Sequence, residues 1–271
     1  MLTKADDFPV HQTPEPIAYA GTDRNFYDRY FFNGYRCDGE VYFAVAMGVY
    51  PNMGIFDCAF SVVHNGKQRF VRASRALGTD RLNTTAGPIS IEVLEPLRRL
   101  RVSVAPNQWG ITADLVFEAR SLPMEEPHFN RRARGVTVMD YTRMTQHGAW
   151  MGNIRIDGTP FEVRPENWWG SRDHSWGIRN VGGRDPRGAP MTEAPQFYWN
   201  WAPLNFEDRC TLFTTSEQSD GTRWHESGEI LTPYPDASAT AAAVSHDLTF
   251  QKGTRWIGDG ARITLAPSNN N

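Results

Sequence analysis

The sequence is short of the features that usually decide a function. Only three cysteines occur among 271 residues, Cys37, Cys58 and Cys210. An odd number at wide spacing fits neither a disulfide framework nor a zinc site, so a reducing, cytoplasmic compartment is expected. No stretch of about 18 apolar residues is present and the first residues form no apolar run, so neither export nor a transmembrane segment is expected. An excess of one charge is also missing. The 28 basic and 31 acidic residues are mixed along the chain and leave a net charge of −3, without the basic stripe that nucleic acid requires. No Gly-x-Ser-x-Gly elbow, phosphate-binding loop or Gly-x-Gly-x-x-Gly fingerprint occurs, which removes the usual support for esterase, nucleotide-dependent and dehydrogenase chemistry. No cofactor is expected. No cluster of His, Cys and carboxylates has ligand spacing, so no metal is expected either. Finally, no 12-residue window holds a 3.6-residue apolar period, and helices should be few and short.

What the chain has instead is alternation and aromatic rings, with 9 Trp, 9 Tyr and 15 Phe. From Trp109 to Ala119 every odd position is apolar, the pattern of a half-buried strand. Ser90–Leu94, Leu100–Val104 and Gly152–Gly158 repeat it, and Val41–Val49 reads as a more fully buried strand. Turn residues separate these runs at His64-Asn65-Gly66-Lys67, Ala86-Gly87-Pro88, Ala105-Pro106-Asn107 and Asp157-Gly158. The spacing predicts an antiparallel meander. Residues 1–25, with Pro9, Pro14 and Pro16, read as an irregular arm; 26–165 read as a first β-domain and 166–271 as a second. Within this scheme Glu125–Arg134 is a charged loop, Gln196–Trp201 and Arg209–Thr215 are strands, and the small, polar Asp236–Ala243 is a loop.

The run from Trp168 to Arg179 concentrates indoles, arginines, an acid and an imidazole. If it is extended, Arg172, His174 and Trp176 share one face, while Asp173 and Ser175 share the other. One face can then meet a cavity while the other is tied into the wall. A histidine exchanges protons near neutral pH, and an indole face stabilises developing positive charge. A seam between domains, with Asp173 paired to Arg172 or Arg179 and the indoles as packing, is the structural alternative.

Gly170-Ser171-Arg172-Asp173-His174-Ser175-Trp176-Gly177-Ile178-Arg179, with Asp28-Arg29-Tyr30-Phe31-Phe32 and Asp140-Tyr141-Thr142-Arg143, resembles the AttH-like and carotenoid 1,2-hydratase (hydroxyneurosporene synthase) superfamily. The resemblance runs from about residue 25 to 265. It implies an all-β protein of two lipocalin-like antiparallel β-barrels side by side, and an apolar ligand such as an isoprenoid. It also implies His174 and Trp176 as the counterpart of a His-x-Trp pair that protonates an alkene. The partner Tyr-x-Asp pair is met by Tyr198 and Asn200, where an amide replaces the acid and cannot deliver a proton. About 75 residues follow Pro195, few for a complete eight-stranded barrel, so the second barrel is expected to be short or incomplete.

His64 beside Asn65-Gly66 reads as an exposed turn residue, His128 as part of a solvated loop, and His147 as a residue able to face the first barrel's interior. Trp224-His225-Glu226 lacks a second His four residues away and is no zinc-protease helix. These observations leave three readings. The first is a cofactor-independent enzyme acting on an isoprenoid- or steroid-like molecule by hydration, dehydration, isomerisation or cyclisation. In it His174 or Asp173 handles the proton, Trp176, Tyr198, Arg172 and Trp169 contact the substrate, and Asn200 orients a polar group. The second is a carrier or sensor that binds a lipid. The third is an interaction protein whose barrels are filled by side chains. The oligomeric state is left open by all three.

Overall fold

The computed structural model describes residues 14, 16, 18–133, 136–180, 198–253 and 258–267. The chain divides into two compact units, Met1–Asp185 and Pro186–Asn271. Most of the predicted arm lies outside the described residues, and from residue 18 to 25 the chain is turn and irregular backbone. No α-helix occurs among the described residues, and a turn of 3-10 helix covers Pro51–Met53.

The first unit contains β1 (Phe26–Arg36), β2 (Val41–Tyr50), β3 (Ile55–His64), β4 (Lys67–Ala76), β5 (Thr85–Ala86), β6 (Ile89–Glu95), β7 (Arg99–Val104), β8 (Ile111–Ala119), β9 (Met124–Glu125), β10 (Phe129–Ala133), β11 (Val136–Ile156), β12 (Thr159–Val163) and β13 (Trp168–Arg179). They form one antiparallel sheet in the order β4-β3-β2-β1-β13-β11-β8-β7-β6-β5, with β9, β10 and β12 also on β11. The expected turns are there. Asn65 and Gly66 have φ of 50° and 68°, and Asp157 and Gly158 have 49° and 84°, the positive pair that a tight two-residue hairpin needs. β8 shows the anticipated alternation, with Ile111, Ala113, Leu115, Phe117 and Ala119 all buried.

The two ends of this sheet, β4 and β5, curl round to meet. A Cβ on Gly87, just past β5, would stand 2.8 Å from the Ala73 Cβ of β4. Arg75 of β4 closes the gap. Its guanidinium donates to the carbonyls of Thr85 at 2.7 Å, Ala76 at 2.9 Å, Leu77 at 2.8 Å and also Asn83. The result is a nearly closed barrel whose seam is held by a side chain, since β4 and β5 share no backbone ladder.

One end of the barrel is packed solid. Gly34, Gly170 and Gly148 stand in register across β1, β13 and β11. A Cβ on Gly34 would fall 2.2 Å from the Phe43 ring, one on Gly148 2.2 Å from Phe117, and one on Gly170 2.0 Å from the Asn33 carbonyl oxygen. The absent side chains are the space that these rings and Trp150 occupy. Trp150 sits edge-on to Phe43 at 5.0 Å and to Phe117 at 5.3 Å, and its indole N–H donates to the Asn33 carbonyl at 2.9 Å.

Several expectations need correction. The charged stretch Glu125–Arg134 is not a plain solvated loop. Met124–Glu125 and Phe129–Ala133 pair with β11, and Glu126 and Phe129 are buried, Glu126 against Arg143, while Pro127 and His128 between them stay exposed. The run Trp168–Arg179 is a full strand between β1 and β11 of the first unit, so the expected boundary at 165/166 precedes the division found at Asp185/Pro186. His147 is buried but sits opposite Ser171, on the face away from the barrel interior. His64 ends β3 as a half-buried ring, edge-on to Phe161 at 5.1 Å.

The second unit is a half-barrel, a five-stranded antiparallel meander in chain order: β14 (Tyr198–Asn205), β15 (Cys210–Glu217), β16 (Arg223–Thr232), β17 (Ser238–Phe250) and β18 (Gly258–Pro267). The incomplete second barrel is therefore observed. Asp236–Ala243, expected as a loop, is mostly the start of β17. Its Ala, Ser and Thr residues lack the apolar contrast that marks a strand, yet Ala239 and Ala241 pair with Leu231 and Glu229.

Candidate functional site

The site is built on β13. Alternation sends Trp168, Gly170, Arg172, His174 and Trp176 to the interior of the barrel. Across the sheet Arg172 faces Phe32 and Gln146, His174 faces Tyr30 and Met144, and Trp176 faces Asp28 and Thr142. Along this face burial gives way to access. Trp168 and Arg172 are buried, His174 is partly accessible, and Trp176 is 40% exposed.

At the accessible end His174 Nε2 lies 2.6 Å from Asp28 Oδ1. The imidazole stacks on the Tyr30 ring at 4.3 Å and 16°, and the Trp176 indole is tilted against it at 5.1 Å. The second oxygen of Asp28 is 3.4 Å from an Arg81 amino nitrogen. Asp28 and Tyr30 form one wall of a cavity of about 1010 Å³, and Val49, the loop Asp80–Thr85 and the strand Ser90–Val93 form the others. Its lining mixes apolar side chains (Val49, Leu82, Ile91, Val93) with hydrogen-bonding ones. Burial pushes the Tyr30 hydroxyl up to about 12, with the Asp28 charge adding to the shift, so it stays protonated at neutral pH.

Arg172 shares this face but is already engaged. Its guanidinium donates to Gln146 Oε1 from Nε at 2.9 Å and from an amino group at 2.7 Å, while Gln146 donates to the carbonyls of Leu97 and Ser121. Burial lowers Arg172 to about 10, which leaves it a cation.

The other face of β13 turns away from the barrel interior. Ser171, Asp173 and Ser175 are buried beside an ion pair in which Arg143 donates to both oxygens of Glu126 at 2.8 and 2.6 Å, with the Thr145 hydroxyl adding a bond of 2.6 Å. Asp173 Oδ1 has no hydrogen-bond partner among the described residues. Burial raises its carboxyl above the usual range, against the opposing pull of Arg143, Arg29 and Arg179. Trp169 also lies on this side, its indole N–H donating to the Pro165 carbonyl at 3.0 Å and its ring covered by the Arg120 guanidinium at 4.3 Å. Of the residues singled out by sequence, the interior face therefore brings together His174, Trp176 and Arg172, and separates them from Asp173 and Trp169.

Tyr198 and Asn200 belong to β14 of the second unit. Tyr198 pairs in register with Glu217 and lies edge-on to His246 at 6.0 Å; burial and the Glu217 charge raise its hydroxyl above the usual value. His128 is exposed, 2.5 Å from Asp140 and 3.2 Å from the Thr142 hydroxyl. Among the described residues no group of three or more His, Cys, Asp and Glu side chains is placed to hold a metal ion. No helix of the described residues is long and apolar enough to cross a membrane. Asp28, Tyr30 and Arg81 were not singled out by residue chemistry. Asp28 and Tyr30 did stand in the quoted Asp28–Phe32 motif, and that was the available signal.

The chain can be compared with known proteins at this point. Its fold is similar to that of a Nitrosomonas europaea protein named for AttH, with a TM-score of 0.57 and 14% identity over 91% of this chain and 79% of that one. It is likewise similar to kievitone hydratase from Nectria haematococca, with a TM-score of 0.56 and 11% identity over 88% of this chain and 72% of that one. At such identities the likeness is one of fold, and it agrees with the fold that the AttH-like resemblance implies. No curated protein matches the sequence. Residues 2–271 match the model of the family of unknown function DUF8625, and the chain belongs to that family.

Proposed function

We propose that this member of the DUF8625 family is an enzyme that acts on a hydrophobic, isoprenoid- or steroid-like small molecule by proton transfer, in a hydration, dehydration, isomerisation or cyclisation, without a cofactor. The observation that carries the reading is the imidazole of His174, 2.6 Å from Asp28 on the wall of a cavity of about 1010 Å³. That volume is at the upper end of the range of small-molecule sites and can hold a polycyclic skeleton. The Asp28 carboxylate on its wall is bonded to a histidine, a group able both to give and to take a proton near neutral pH. Tyr30 and Trp176 place two aromatic rings against the imidazole, and their faces favour a substrate that gains positive charge as it is protonated. In this reading Trp169 ties the strand to its neighbours, and Asp173 lies on the face away from the cavity. Tyr198 and Asn200 are assigned to substrate contact by the sequence resemblance alone, and a cytoplasmic location follows from the cysteine usage. The fold similarity to a protein named as a hydratase adds to the prior for this chemistry.

The competing reading is a carrier, for which the same cavity suffices. Native mass spectrometry of protein purified from its own host identifies the co-purified lipid that serves as substrate. His174→Gln then keeps binding and lowers turnover by roughly a hundredfold or more. Trp176→Ala weakens binding by about 1–3 kcal/mol. Turnover by His174→Gln at the wild-type rate overturns the catalytic assignment.

A further inference from the structure

The cavity, the dyad and the loop beside it carry one inference more. We infer that Asp28 is a positioning residue for His174, and that the loop of residues 77–84 steadies Asp28 through Arg81. It rests on the reading of His174 as the proton-transfer group, and extends it to two residues of the cavity wall that act through the imidazole.

The geometry of the ring is the first ground. A carboxylate 2.6 Å from Nε2 fixes the proton on that nitrogen and leaves Nδ1 as the atom that exchanges with a substrate. Stacking on Tyr30 at 4.3 Å holds the plane in which that nitrogen points. Exposure is the second ground. The side chains of His174 and Asp28 are 23% and 30% accessible, so the pair is within reach of a ligand as a fully buried pair would not be. The third ground is the loop. Arg75 ties together the carbonyls of Ala76, Leu77, Asn83 and Thr85, so residues 77–84 have a fixed shape, and Arg81 projects from it to within 3.4 Å of Asp28 Oδ2. The same loop forms a wall of the cavity. Whatever fills the cavity therefore presses on the element that holds the carboxylate that aims the imidazole.

Nuclear magnetic resonance of the full chain with ¹⁵N-labelled histidine reads this directly. In the wild type the His174 ring nitrogens report a single tautomer protonated at Nε2, with that proton slow to exchange. Asp28→Asn is expected to speed exchange at least about tenfold and to mix the tautomers; Arg81→Gln is expected to do the same in smaller measure, about two- to threefold. An unchanged Trp150 indole signal in each variant certifies the fold. Should Asp28→Asn leave the His174 proton and tautomer as they were, the positioning role is overturned. Because the signal is the imidazole's own, it stands apart from turnover: a mobilised ring in Asp28→Asn, together with a fully active His174→Gln, keeps the positioning and discards the catalysis.

Discussion

The two ends of the first barrel are made from the same strands and are opposite in kind. At one end Gly34, Gly148 and Gly170 give up their side chains so that Trp150, Phe43 and Phe117 can fill the interior. At the other end, a few residues along the same strands, Asp28, Tyr30, His174 and Trp176 bring titratable and aromatic groups together, and Asp28 and Tyr30 wall an open cavity. The difference teaches where a small barrel keeps its stability and where it has room for chemistry. Close packing of large rings supplies free energy at the filled end, and the open end contributes little and is available for a ligand.

That comparison can be broken. Trp150→Ala removes the centre of the filled end and its bond to Asn33, and should cost about 3–5 kcal/mol in urea unfolding of the whole chain. A loss under about 1 kcal/mol would mean that the filled end is not where stability resides. Asp173→Asn sharpens the contrast from the wall between the ends. Burial raises the folded-state carboxyl above its unfolded value, so the folded protein holds this proton to higher pH than the unfolded chain does. Below the unfolded value the buried acid is neutral and carries no penalty; as pH rises toward the folded value, the cost of burying the charge sets in. The variant should therefore gain stability over the wild type progressively from about pH 4 upward, and a comparison of melting temperatures at pH 4 and pH 7 checks the sign. Loss of stability at pH 7 would show Asp173 to be a partner that the strand needs. The smallest effect belongs to the open end: His174→Gln should shift stability by less than about 1 kcal/mol, because its contact with Asp28 is partly open to solvent and glutamine can still bond the carboxylate. A loss comparable to that of Trp150→Ala would erase the distinction between the ends.

Much of this arrangement could be read from the chain. The period-2 patterns of β7 and β8 and the Asn65-Gly66 and Asp157-Gly158 turns are local, and local rules found them. Alternation also sorted His174 and Trp176 from Asp173 correctly. Three things were hidden. Glu126 looked like one charge in a solvated loop, because nothing near it in sequence announces Arg143, 17 residues on. The Ala-, Ser- and Thr-rich start of β17 carries no apolar contrast, and its strand character comes from pairing with β16. Asp28 was the costliest omission, since its contact with His174 spans 146 residues and exists only because β1 lies beside β13.

The seam between β4 and β5 has a consequence of a mechanical sort. A sheet that closes on itself through a backbone ladder is a hoop with many rivets, each of which can fail alone. Here the hoop has a clasp: four carbonyls hang on the one guanidinium of Arg75, so they are gained and lost together. The girth of the barrel thus rests largely on this clasp, with the Cys58 thiol reaching the Ala86 carbonyl at 3.5 Å beside it, and the clasp is fastened to the strip of chain that walls the cavity.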